Sequence, residues 1–149
     1  MRINQIIACT QLHISSENQN IIYFPERVLS LKLISSPISL DEYTNLRSLT
    51  LIQCHFDHLV QLPSCLSRLC IQNTNLPASN LKFILENSTL INVQLKLYHK
   101  LNFLPSMLNI DQNFSNIEYL TINYISLNDM IDLLQYTRKL KYLHISLFG

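Results

Sequence analysis

Glycine is almost missing from this chain: the single one, Gly149, is the last of 149 residues. Phosphate-cradling loops are built on glycine-rich turns, so no such loop exists here. The turns must be made by another residue. Fifteen Asn are scattered mostly between the apolar segments, and Asn tolerates left-handed backbone and caps its own turns. Charge is also scarce, at 14% of residues, and eleven basic side chains against ten acidic ones leave a net charge of +1. Phosphate binding needs clustered Lys and Arg, so no nucleic-acid surface is expected. The one local cluster, Arg138, Lys139 and Lys141, reads as cations complementing the dipole at a helix C-terminus.

Long apolar runs are lacking as well. No stretch approaches the roughly eighteen residues of a membrane span. The N-terminus, MRINQIIACTQLHI, has one basic residue and an apolar run broken by Gln5, Thr10 and His13, which does not make a signal peptide. Four cysteines are too few for a disulfide framework in a chain of this size. Reduced thiols and a cytoplasmic or nuclear location are expected. The sequons Asn87-Ser88-Thr89 and Asn113-Phe114-Ser115 carry no weight without an export signal, since fifteen Asn among 22 Ser and Thr give about two by chance.

What the chain does have is apolar residues in phase. The spacing LxxLxL occurs seven times, as Cys9/Leu12/Ile14, Val28/Leu31/Leu33, Leu46/Leu49/Leu51, Leu66/Leu69/Ile71, Leu90/Val93/Leu95, Ile117/Leu120/Ile122 and Leu140/Leu143/Ile145. The copies start at 9, 28, 46, 66, 90, 117 and 140, at intervals of 18 to 27 residues. Self-similarity at such a period is the mark of a solenoid. The last three positions alternate, which sends both apolar side chains to one face of a strand. One such strand buries too little to be stable, but stacked copies cover each other's apolar edges. The expectation is a single 1–149 domain of α/β class, a curved layer of about seven parallel strands with Leu31, Leu49, Leu69, Leu120 and Leu143 buried.

Four copies continue beyond the strand, in LKLISSPI, LTLIQCHF, LCIQNTNL and LTINYISL, where Ile38, Phe56, Leu76 and Leu127 are the next inward anchors. The extended form LxxLxLxx(N/C)xL resembles the leucine-rich repeat, and the resemblance covers roughly residues 9 to 147. The copy LPSCLSRLCI resembles the short type of about twenty residues. At the family's ladder position, normally Asn, this chain has Ser36, Cys54, Thr74 and Ile125. These offer fewer donors, so turn carbonyls must find backbone or water, and irregular turns are expected. Cys9 replaces a first Leu, while Cys65 and Cys70 flank the fourth strand.

A return segment needs about ten residues to hold a real helix, so only the longer, later repeats have room. The early repeats should return through loops and the later ones, after about residue 78, through helices on the convex side. Asn128 is placed to cap a helix carrying Met130, Leu133, Leu134 and Thr137, and Ser79 to precede Leu81, Ile84 and Leu85. Residues 102 to 116 read as a long connection. No polar capping repeat precedes Cys9 or follows Phe148, which suggests an uncapped fragment.

Chemistry finds little support. The segment Cys54-His55-Phe56-Asp57-His58, with Cys65 and Cys70, contains metal-ligand types, but its spacings match no zinc pattern. Asp129 and Asp132 lie a turn apart, and their place in the first turn of a helix suits the dipole better than acid–base work. No nucleophile elbow, zincin motif or Gly-rich loop occurs. Neither an enzyme nor a cofactor is expected.

Function then falls to the concave face, where outward strand residues align in columns. One column is Gln11, Ser30, Ser48, Arg68, Asn92, Tyr119 and Tyr142; the next is His13, Lys32, Thr50, Cys70, Gln94, Thr121 and His144; the third is Ser15, Ile34, Ile52, Gln72, Lys96, Asn123 and Ser146. They contain Lys32, Arg68 and Lys96 and no acid. Tyr119 and Tyr142 share a column in consecutive repeats, beside Thr121 and His144, and rigid aromatics in a polar setting dominate many interfaces. The expected function is a non-catalytic module binding a protein or peptide through these residues. Irregular repeat lengths with Cys or Ser at the ladder position resemble the substrate-binding repeats of F-box proteins. That resemblance implies a ubiquitin-ligase adaptor, reached through a segment not present here. The alternatives are an inhibitor or scaffold resembling ribonuclease-inhibitor-type repeats, or a gene fragment without function.

Overall fold

Stretches of five to seven residues in which Leu, Ile or Val alternates with mostly polar residues become strands, because alternation lets one face meet the core and the other water. In the computed structural model, which describes residues 11–15, 25–35, 40–55, 62–99 and 115–147, they are β1 (Gln11–Ser15), β2 (Ser30–Ile34), β3 (Ser48–Ile52), β4 (Arg68–Gln72), β5 (Asn92–Lys96), β6 (Tyr119–Ile125) and β7 (Tyr142–Leu147). They form one seven-stranded sheet in chain order. Each strand is parallel to the next. Among the described residues two helices, α1 (Ala78–Glu86) and α2 (Leu127–Tyr136), accompany the sheet in an α/β arrangement.

Three inward rows run across the sheet: Val28, Leu46, Leu66, Leu90 and Ile117; Leu31, Leu49, Leu69, Val93 and Leu120; Leu33, Leu51, Ile71, Leu95 and Ile122. All fifteen are at most 3% exposed, and each such burial contributes about 1.5–3 kcal/mol. Helix residues Leu81, Ile84, Leu85, Leu133 and Tyr136 belong to the same cluster, so both described helices pack on this side, and no described element covers the opposite face. Leu143 departs from expectation. With Leu140 and Ile145 it is only partly buried, because β7 is the last strand and no described element stacks beyond it.

The turns are regular, contrary to the reading of the ladder position. Before the first inward anchor, a three-residue backbone turn closes in four copies: Val28 N–H to Pro25 C=O (3.1 Å), Leu46 to Tyr43 (3.2 Å), Leu66 to Pro63 (3.0 Å) and Leu140 to Thr137 (3.1 Å). In the two longer copies a side chain does this work, Asn87 Oδ1 accepting from Leu90 N–H at 3.1 Å and Ser115 Oγ from Ile117 N–H at 3.2 Å. After the strand, the residue two beyond the last inward anchor is left-handed in four copies: Ser35 (φ 49°), Gln53 (54°), Asn73 (52°) and Tyr124 (59°). Only one of these is Asn. Three of their N–H groups donate to the next strand, Ser35 to Ile52 C=O (2.9 Å), Gln53 to Gln72 (3.0 Å) and Asn73 to Lys96 (2.8 Å).

The ladder residues themselves supply donors. The Cys54 thiol donates to Leu33 C=O at 3.7 Å and Ile52 C=O at 3.5 Å, and the Thr74 hydroxyl donates to Gln72 C=O at 2.9 Å. Ile125, with no donor, is completely buried. Ser36, Ile38, Phe56, Asp57, His58 and Cys9 lie outside the described residues, as does most of the 102–116 connection. Cys70 does not flank the fourth strand; it is its central residue.

α-Helices occur only after residue 77 among the described residues, and before that the described returns hold turns and one short 3-10 helix, Pro25–Arg27. Their starts differ from expectation. Ser126, not Asn128, caps α2: its Oγ accepts from Asp129 N–H at 3.2 Å and bonds the Asp129 carboxylate in turn, a reciprocal cap that favours an acid in the first turn. Of the two aspartates only Asp129 lies in that turn. α1 starts directly after Pro77 with no side-chain cap, and Ser79 lies inside it. Because α2 begins at Leu127, that residue is carried outward (55% exposed) and Ile125 takes the inward place. Leu134 is likewise exposed, while Tyr136 and Thr137 turn inward. Arg138 and Lys139 come after the helix rather than ending it. Lys139 donates to the Asn116 side-chain Oδ1 and Lys141 to the Glu118 carboxylate at 2.9 Å, so these cations tie the segment before β7 to the one before β6.

Candidate functional site

Strand register decides which outward residues are neighbours. The pairings Gln11↔Ser30↔Ser48↔Arg68↔Asn92↔Tyr119↔Tyr142 run unbroken across all seven strands, as do His13↔Lys32↔Thr50↔Cys70↔Gln94↔Thr121↔His144. The third column is broken. Lys96 pairs with Gln72, but the β5–β6 register stops at Leu95↔Ile122.

The Asn123 side chain explains the break. Its carboxamide accepts from Leu97 N–H and donates to Leu97 C=O at 3.0 Å, standing in for the backbone that a left-handed residue serves elsewhere. β6 is bulged at this point, between Asn123 and Ile125. Bulges re-aim side chains at sheet ends, and here Tyr124 emerges 41% exposed, next to the bridge whose other side leads to Tyr98, 57% exposed. These two tyrosines were missed by column reasoning because they fall outside the three columns. The signal available was an aromatic directly after a column-three or inward residue.

All seven residues singled out in the sequence lie on the open face. Tyr119 and Tyr142 are directly paired, 43% and 54% exposed, and Thr121 and His144 form the next pair. Parallel neighbours lie about 4.8 Å apart, so the two rings share one surface. Glu118, one residue before Tyr119, is held by Lys141 at 2.9 Å, and this bond raises the Lys141 pKa above its ordinary value. Arg68 and Lys96 are exposed and Lys32 is half-buried. They sit on β4, β5 and β2, away from the tyrosines. Between them Cys70 Sγ contacts Gln72 Nε2 at 3.2 Å and Gln94 Oε1 at 3.7 Å. A polar bridge therefore floors the middle of the face.

Among the described residues, no His, Cys, Asp and Glu form a group of three able to hold a metal ion, and no helix is long and apolar enough to cross a membrane. Cys54, Cys65 and Cys70 are free thiols. No family model, curated protein or solved structure matches this chain.

Proposed function

We propose that the chain is a leucine-rich-repeat solenoid that binds a protein or peptide on the open, concave face of its sheet and has no chemistry of its own. The observation that carries this reading is the unbroken pairing of the first two outward columns through seven strands, ending in the exposed pair Tyr119 and Tyr142. A polar surface with rigid aromatic anchors suits recognition. The repeat style supports a substrate-recognition role of the F-box type, in the cytoplasm or nucleus, with a ubiquitin-ligase adaptor reached through another segment.

The test is a pull-down with Tyr119→Ala/Tyr142→Ala beside the unaltered chain. Partner binding should weaken by at least about 2 kcal/mol, with the thermal midpoint scarcely moved because both rings face solvent. Equal loss of binding and folding would sink this assignment of the face. Ubiquitin-ligase subunits recovered with the full-length protein support the F-box-type reading, whereas one stoichiometric enzyme favours the inhibitor.

A further inference from the structure

Charge is unevenly distributed on the open face. Lys32, Arg68 and Lys96 point from β2, β4 and β5, and the outward positions of the seven strands include no Asp or Glu. Among the described residues these three cations have no carboxylate partner. By contrast, two acids of the described residues are engaged elsewhere: Glu118 with Lys141 and Glu86 with Lys82. Asp129 lies in the first turn of α2, on the core side of the sheet.

From strand spacing and rise, Lys32 to Arg68 and Arg68 to Lys96 each span about 12–14 Å, and Arg68 to Tyr119 about 10 Å. The paired tyrosines lie past the cations, so the face is cationic over β2–β5 and aromatic over β6–β7. β2 to β7 measures about 24 Å, the length of roughly seven extended residues.

We infer that the ligand is an extended acidic segment of a protein that crosses the strands, with carboxylates about four residues apart over Lys32 and Arg68 and an apolar side chain about three residues further on over Tyr119; Lys96, at the far end of β5, lies off this line and adds to the cationic field. This rests on the reading of the open face as the binding surface. A nucleic acid fits less well, because adjacent phosphates need clustered cations and these are separated by about 12 Å or more. Carboxylates meeting Lys and Arg also fix the direction of the segment, since charge complementarity sets register more than raw affinity.

The experiment is selection from a displayed library of random peptides about twelve residues long, enough to cross the face. The unaltered chain should enrich Asp- and Glu-rich peptides with one aromatic or aliphatic anchor. Their affinity should fall at least about tenfold in Lys32→Glu/Arg68→Glu/Lys96→Glu and decline with added salt. That variant should keep its thermal midpoint and select basic peptides instead, a gain that misfolding cannot imitate. Lys32→Gln/Arg68→Gln/Lys96→Gln should lose the acidic preference without acquiring the basic one. Neutral or basic peptides that still depend on Tyr119 and Tyr142 would overturn the acidic inference and leave the face assigned. Peptides indifferent to both sets of substitutions would overturn both. A fluorescein-labelled thymidine oligonucleotide that binds more tightly than the selected peptides, through the same tyrosines, would also overturn it.

Discussion

Asn123 and Leu97 lie 26 residues apart, yet one carboxamide serves both backbone groups of Leu97, accepting from its N–H and donating to its C=O at 3.0 Å. This bridge joins the end of β5, where Leu97 lacks the left-handed conformation of its counterparts, to the bulged β6. Asn123→Ala leaves both groups of a buried residue to find other partners. Urea unfolding should show a loss of about 1–3 kcal/mol. Asn123→Asp should fare no better, because a carboxylate accepts from the N–H but faces the carbonyl with a second oxygen.

Leu69 and Leu143 occupy the same row of the sheet but not the same environment. Leu69 is 1% exposed between two covered neighbours, whereas Leu143 on β7 is only partly buried. Leu69→Ala should cost about 2–5 kcal/mol, and Leu143→Ala should cost clearly less. Equal losses in paired denaturation curves would show that β7 is covered as fully as β4.

Tyr124 is an exposed aromatic with φ 59°, a conformation that costs a bulky residue about 1–3 kcal/mol. Asn, which holds the equivalent turn at Asn73 (φ 52°), adopts it more readily. Tyr124→Asn should therefore raise the denaturation midpoint, by about 0.5–1 kcal/mol in stability. A lower midpoint would show that the ring contributes more than the backbone strain removes.

Tyr43 is 5% exposed, and its phenol pKa is raised above the ordinary 10.0 by burial first and by the Glu42 charge second. A raised pKa means the folded protein holds the proton longer. Its contribution is thus fully present below 10.0 and is lost as pH rises through the folded-state value. Stability should fall more steeply above about pH 10 in the unaltered chain than in Tyr43→Phe. The raised Lys141 pKa acts in the same direction, but its exposed ion pair with Glu118 is screened by solvent. Parallel curves for the two proteins would show that Tyr43 ionises without penalty.

The sheet was readable because two independent signals agree in each strand. Alternation in Leu49-Thr50-Leu51 names the inward face, and recurrence of the same spacing at Leu69 and Leu120 names the neighbours, so the first two columns and the late helices emerge directly. The open-face neighbours Tyr119 and Tyr142 came from the same arithmetic. Events that break the count by one residue were not visible. The bulge after Asn123 puts the later positions of that repeat out of step, so that Leu127 turns outward and Ser126 becomes the cap. Residue identity also misled at the ladder. Cys54 and Thr74 looked like poor substitutes for Asn, but a thiol and a hydroxyl each have a donor, and each reaches a strand carbonyl. Leu143 failed for a different reason, since burial depends on what stacks beyond a strand and the local pattern is blind to it.

Sheet order equal to chain order has a consequence during synthesis. Paired residues are separated by as little as 18 positions, at Ser30↔Ser48, and by no more than 27, at Asn92↔Tyr119. A nascent chain leaving the ribosome can therefore dock each strand on the one before it after 18 to 27 further residues. Folding can advance at the pace of translation, and the edge awaiting a partner is always the most recently made strand. Pauses in elongation would leave that newest edge uncovered, so the rhythm of translation between strands would set how long each one stays open to mispairing.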